Sequence, residues 1–164
     1  LKKSTFAMKM ILVLGAGRSA SSLIDYLINE CNSNGWKLRV GDYSLSLAQE
    51  KCNGSAVAQA FQFDILNEQQ RAEEIKKADV VISMLPANFH PIVAELCVEY
   101  GVNMLTASYV SKEMKALDEK AKQKGDVDLS GELEVGATAG DLQGRRAGAG
   151  LDGAQRLAGR GIEG

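Results

Sequence analysis

Met10-Ile11-Leu12-Val13-Leu14-Gly15-Ala16-Gly17-Arg18-Ser19-Ala20 joins an unbroken apolar run to a turn built on two glycines. The run shows no alternation of apolar and polar residues, the pattern of a strand covered on both faces of a parallel sheet. Beyond the turn, Ala20, Leu23, Ile24, Leu27, Ile28 and Cys31 recur at helical spacing, with Ser21, Ser22, Asp25 and Asn29 opposite them. That spacing predicts an amphipathic helix. Gly15-Ala16-Gly17-Arg18-Ser19-Ala20 therefore stands between a strand and a helix, the context that a G-x-G-x-x-A dinucleotide fingerprint requires. Gly15 allows the tight turn and Gly17 lets backbone approach a pyrophosphate. Ala20 is small enough for helix and strand to pack closely. The phosphates then meet the helix amino terminus. Out of this context Gly-x-Gly is as often an ordinary turn.

Working outward, strands and helices alternate. Leu38 to Gly41 reads as a second strand ending at Asp42, and Ser44 to Cys52 as a short helix with Leu45 and Ala48 inward. Val57 to Phe63 alternates like a strand and stops at Asp64; the polar stretch Glu68 to Lys77 reads as a helix, supported by Glu73 four residues ahead of Lys77. Val80 to Leu85 is a fourth strand. Pro91 opens a helix carrying Ile92, Val93, Leu96, Cys97 and Tyr100, which Gly101 caps. Val102 to Thr106 gives a fifth strand, and Ser111 caps a last helix with Met114, Leu117 and Ala121 inward. The repeat predicts an α/β fold, a doubly wound parallel sheet of the Rossmann type.

Asp42 ends the second strand, where a carboxylate accepts hydrogen bonds from adenosine ribose hydroxyls and opposes a 2′-phosphate. Tyr43 and Ser44 stand where an NADP site would usually offer arginine, so NAD is the expected cofactor and NADP the less favoured one. A plain turn-forming role for Asp42 is the alternative. Arg18 is the reservation, since a guanidinium in the glycine loop can turn toward a phosphate. Asp64 and Ile65, after strand three, are placed to bound the adenine, though Asp64 serves equally well as a cap for the next helix.

Composition narrows the partners. The formal net charge of -2 comes with no basic cluster, which argues against nucleic acid and anionic membrane surfaces and for a small molecule. Cys31, Cys52 and Cys97 lack the spacing of a zinc site or redox pair, so no metal is expected and the thiols read as reduced packing residues. No apolar run approaches the ~20 residues of a membrane span, and a cytoplasmic location is expected. The two ends differ from the middle. Met8 reads as a natural start, with residues 1–7 as leader or upstream sequence. From Asp126 onward lie ten of the seventeen glycines, while every lysine and aromatic residue lies before it. Residues 8–125 are thus expected to form the dinucleotide-binding domain. Residues 126–164 stay unassigned, a disordered tail or a coding artefact.

Other glycine-loop classes fit less well. Short-chain dehydrogenases need Tyr and Lys four residues apart, but Tyr26, Tyr43, Tyr100 and Tyr109 have Glu30, Leu47, Met104 and Glu113 there. A methyltransferase would usually carry an acid ahead of the glycines, where this chain has Leu12-Val13-Leu14. A noncatalytic NAD-sensing module remains an alternative that the first 85 residues do not separate from an enzyme.

Further on, Asp79-Val80-Val81-Ile82-Ser83-Met84-Leu85-Pro86, Phe89-His90-Pro91 and Val102-Asn103-Met104-Leu105-Thr106-Ala107-Ser108-Tyr109-Val110 resemble the saccharopine dehydrogenase family. The resemblance covers about Met10 to Gly125, with Thr-Ala-Ser-Tyr its most specific signature. It implies an oxidoreductase of lysine metabolism in which a nicotinamide cofactor takes hydride from the secondary amine carbon of saccharopine. Water then splits the imine into glutamate and aminoadipate semialdehyde. It also implies that Ala16, Asp42, Ile65, Leu85 and Ala107 contact the cofactor and that Ser108 and Tyr109 contact the amino-acid substrate. Leu85-Pro86 and Ala107-Ser108-Tyr109 follow strands four and five, at the carboxyl edge where open α/β sheets bind ligands. A surface loop role is the alternative for Tyr109. His90, the only histidine, invites assignment as a general base, but beside Pro91 it is more often structural.

The resemblance weakens past the last helix. The family continues there with Gly-Glu-x-Gly-Leu-Asp-Pro-Gly and a large substrate domain. Gly131-Glu132-Leu133 echoes the start, yet Glu134-Val135-Gly136-Ala137 follows. The expectation is a fragment, itself inactive, whose catalytic acid and base are unknown from this stretch. A homodimer is compatible with the full-length protein, its contacts lying largely elsewhere.

Overall fold

The computed structural model describes residues 9–107, 111–124 and 131–132, and the structural statements below concern these residues. In chain order the elements are β1 (Met10–Leu14), α1 (Ser21–Asn34), β2 (Lys37–Asp42), α2 (Leu45–Cys52), β3 (Ala58–Gln62), α3 (Glu68–Lys77), β4 (Val80–Ser83), α4 (His90–Tyr100), β5 (Asn103–Thr106), α5 (Lys112–Lys124) and β6 (Gly131–Glu132). Single 3-10 turns at Arg18–Ala20 and Ala87–Phe89 lead into α1 and α4.

All strand pairs are parallel and the order is β3-β2-β1-β4-β5-β6, so the chain winds outward in both directions from β1. The lack of alternation in β1 has its reason in the two cores. Ile11 and Val13 point to one face, with Ile24, Leu27 and Cys31 of α1 and Ala48 and Cys52 of α2. Leu12 and Leu14 point to the other, with Ile75, Val93, Cys97 and Met114 from α3, α4 and α5. Each fully buried side chain of this kind stabilises the fold by about 1.5–3 kcal/mol. The expected doubly wound α/β sheet is the observed fold.

Local chemistry sets the helix boundaries. Ser44 and Asn67 cap α2 and α3 with their side chains, and the Ser111 hydroxyl accepts from Met114 N at 3.2 Å. Gly35 and Gly101 end α1 and α4 in the left-handed conformation. Strand four ends at Ser83, short of the expected Leu85, and two further features depart from expectation. Asn67, not Asp64, caps α3; Asp64 accepts instead from Leu66 N at 2.9 Å, which closes a turn after β3. The sheet also takes a sixth strand, β6, beyond the expected domain end at residue 125. Two residues are too short to show any periodicity.

Candidate functional site

The carboxyl ends of β1 to β5 form one edge of the sheet, and the described residues among those singled out from the sequence follow these strands. Gly15 sits at φ 99°, and a Cβ on it would stand 3.0 Å from the backbone carbonyl of Met84 at the exit of β4. Only glycine satisfies both the dihedral and that approach. Its N–H donates to Gly41 O at 2.8 Å, which ties the turn to β2. Ala16 and Ala20 are fully buried in the core under α1, whereas Gly17, Arg18 and Ser19 are exposed. A Cβ added at Gly17 would meet no atom within 4 Å. Backbone there is open to a ligand, and the first amides of the helical turn lack intrahelical partners. The tight turn expected of Gly15 and the close packing expected of Ala20 match these positions.

Asp42 faces this turn from β2. One carboxylate oxygen accepts from Ala16 N at 2.7 Å and the other from Ser44 N at 2.8 Å. The side chain therefore organises both loops while remaining half-buried at the edge. The turn-forming role, one of the two alternatives for Asp42, is the one these bonds show. Ala16 is fully buried, with its N–H committed to Asp42.

After β3, Ile65 packs against the core beneath α3 and α4, and its carbonyl accepts from Arg71. Leu85 packs on the same core, while Pro86 and Ala107 are exposed at the ends of β4 and β5. Ser108 and Tyr109 lie outside the described residues. His90 is buried, its Nδ1 2.9 Å from Ser83 Oγ, and burial lowers its pKa. The structural role takes precedence over that of a general base. Cys31, Cys52 and Cys97 are free and buried, and desolvation pushes the Cys97 thiol up to about 12. Sequence reasoning missed Gln70 and Arg71, which hold the loop after β3. Their place on a polar helix carried no signal for it.

A parallel sheet ordered about β1, with a glycine turn at a helix amino terminus and an acid at the end of β2, defines a dinucleotide-binding domain. Residues 11–127 match the family described as the saccharopine dehydrogenase NADP binding domain, and the chain belongs to that family. It is 31% identical over 140 residues to an alpha-aminoadipic semialdehyde synthase of Arabidopsis thaliana, covering 75% of this chain and 13% of that protein. With the saccharopine dehydrogenase [NADP(+), L-glutamate-forming] of Schizosaccharomyces pombe, identity is 29% over 133 residues, or 81% of this chain and 28% of the relative. The apo saccharopine dehydrogenase (L-Glu forming) of Saccharomyces cerevisiae superposes with a TM-score of 0.61 at 28% identity, covering 68% of this chain and 24% of that one. The chain thus spans well under a third of these relatives. The expectation of NAD is not carried by the comparisons, which lean to NADP. Among the described residues, no helix is long and apolar enough to cross a membrane.

Proposed function

We propose that this chain holds a nicotinamide dinucleotide along the carboxyl edge of its sheet, as the cofactor domain of an oxidoreductase acting on a secondary amine. The observation that carries the reading is the Ala16–Asp42 bond, which joins an exposed glycine turn to a half-buried carboxylate at the end of β2. The open space at Gly17 fits a pyrophosphate. With Ala16 N committed to Asp42, the amides of Arg18 and Ser19 and the Arg18 guanidinium hold the phosphates. Asp42 keeps lone pairs for ribose hydroxyls. Leu85, Pro86 and Ala107 border the nicotinamide half over β4 and β5.

A bound nicotinamide would supply the hydride acceptor for oxidation of the amine-bearing carbon of saccharopine, with the amine nitrogen giving up a proton. Water then splits the resulting imine into glutamate and aminoadipate semialdehyde. Ser108 and Tyr109 offer hydroxyls to a carboxylate or amine of that substrate. Further proposals, on the charge and family grounds above, are a small-molecule amino-acid partner, no nucleic-acid or membrane partner, a homodimer of the full-length protein and a cytoplasmic location.

The residues at β2 support NAD against the lean of the relatives. Asp42 opposes a 2′-phosphate, and no Lys or Arg occurs from Tyr43 to Glu50. Isothermal titration of the chain with NADH and NADPH tests both levels of the reading. Binding of NADH with weaker NADPH is expected. NADPH binding as tight or tighter returns the chain to the relatives' pattern, with Arg18 turned to the 2′-phosphate, and binding of neither overturns the reading.

A further inference from the structure

Glu74, Ser83, His90 and Thr106 are the buried polar side chains among the described residues. Glu74 is accounted for by ion pairs to Arg39 and Lys77, each at 2.8 Å. The other three gather in one place. Ser83 ends β4, Thr106 ends β5 as its register partner, and His90 opens α4. Val81 and Met104, earlier on these strands by one pleat, pack in the core with Val93 and Cys97 of α4. Ser83 and Thr106 therefore lie on the sheet face that α4 covers.

Ser83 Oγ lies 2.9 Å from His90 Nδ1, a bond that spans the whole loop from Met84 to Phe89. The front of that loop is fixed by β1. Met84 N donates to Leu14 O at 2.8 Å, and the Met84 carbonyl stands 3.0 Å from the place of a Cβ on Gly15. Its back is a single turn, with Phe89 N donating to Pro86 O at 2.9 Å. Between them stand Leu85, packed on the core, and exposed Pro86. Burying a polar pair gives little net stability, since an apolar pair of the same shape packs about as well. What the polar pair adds is direction, because the bond forms only when donor and acceptor meet at the right distance and angle.

In the proposed function Leu85 and Pro86 border the nicotinamide half of the cofactor, so the height of this loop over β4 sets where that half rests. We propose that Ser83 and His90 are positioning residues, whose bond ties the start of α4 to the end of β4 and holds the loop at the height the nicotinamide ring needs. His90 acts through the loop and touches no reacting atom. This assignment rests on the dinucleotide reading above, and it gives the buried histidine a task other than proton transfer.

The test is titration of the full chain with NADH and with ADP-ribose, which lacks the nicotinamide ring, alongside thermal unfolding. In Ser83→Ala, NADH affinity should fall about fivefold, the scale of one hydrogen bond, while ADP-ribose affinity stays unchanged. The double variant Ser83→Ala/His90→Leu removes both ends of the bond, which keeps the test open should the single variant fail to fold, and the same selective loss is expected. His90→Asn, whose side-chain amide reaches the Nδ1 position, should keep NADH affinity. A bond that serves stability alone predicts a lower melting temperature with both ligands weakened together or neither. Either result would overturn the proposal, as would a loss in His90→Asn as large as in the double variant. An unsubstituted chain that binds NADH no tighter than ADP-ribose would overturn it while leaving the dinucleotide reading intact. Binding of neither ligand would overturn both.

Discussion

The Asp42 carboxylate accepts a 2.7 Å hydrogen bond from the backbone N–H of Ala16, linking the end of the second strand to the middle of the glycine turn. A charge-assisted bond of this kind contributes about 1.5–3 kcal/mol. It also fixes a negative charge at the carboxyl end of β2, beside the glycine turn.

Asp42→Asn keeps an acceptor oxygen but removes the charge. Any preference for NADH over NADPH should narrow by about 1–2 kcal/mol, and stability should fall by about one hydrogen bond, because the Asn amide offers a single acceptor to the N–H groups of Ala16 and Ser44. Asp42→Ala should narrow it likewise and lower stability further, because Ala16 N and Ser44 N both lose their partner. Paired titrations and urea unfolding of the two variants separate these effects, and an unchanged preference in both would count against the ribose role.

Gly15→Ala tests the turn itself. The new methyl group would meet the Met84 carbonyl at 3.0 Å in a backbone conformation with φ 99°. Strain at a positive φ costs on the order of 1–3 kcal/mol, with the contact adding to it. Chemical denaturation should show a loss of at least that size, and NADH affinity should fall because the turn moves off Met84.

His90 gives the stability a pH dependence on the acid side. Its pKa is lowered from 6.5 by burial, so below that value the unfolded chain takes up a proton that the folded one resists. The contribution is present above pH 6.5 and is lost as pH falls through the lowered folded value. Unfolding free energies measured between pH 7.5 and 5 should decline toward acid, and His90→Gln should flatten that part of the curve while NADH binding survives. Loss of NADH binding in His90→Gln with the fold intact would revive a direct role at the site.

The Cys97 thiol acts in the opposite direction. Desolvation raises it from 9.0 to about 12, so stability is full below pH 9.0 and falls as pH rises toward 12. Native protein at pH 8 should resist iodoacetamide at this position, and urea should expose it. Rapid labelling of Cys97 in the native state, read by peptide mass, would show that the α4 core opens.

Saccharopine oxidation is the sharpest test of scope. In the proposed function the described edge borders the cofactor, and the chain spans 13% and 28% of two relatives. Near-attack positioning of the amine carbon accounts for about 7–11 kcal/mol of barrier lowering, and one wall of a site does not impose it. The chain should bind NADH yet show no NADH formation from saccharopine and NAD at 340 nm in the same buffer. Robust turnover would show that this chain, alone or paired, completes the site.

Much of this protein was legible in its sequence because the signals are local. Met10–Leu14 is apolar at every position since both faces of β1 are covered, and the helical spacing after Gly17 follows from one buried face of α1. Gly15, Asp42 and Ser111 announced their turns and caps through residue type. Other features needed the fold. That Asp42 bonds to Ala16, that Gly15 presses on Met84, and that Gln70 braces the loop bearing Leu66 all join residues distant in the chain or hidden on a polar helix. His90 kept two roles open until Ser83 and the surrounding core closed around it. Periodicity records which face of an element is buried; only the packed sheet brings particular backbone groups from different strands within hydrogen-bonding reach of one another.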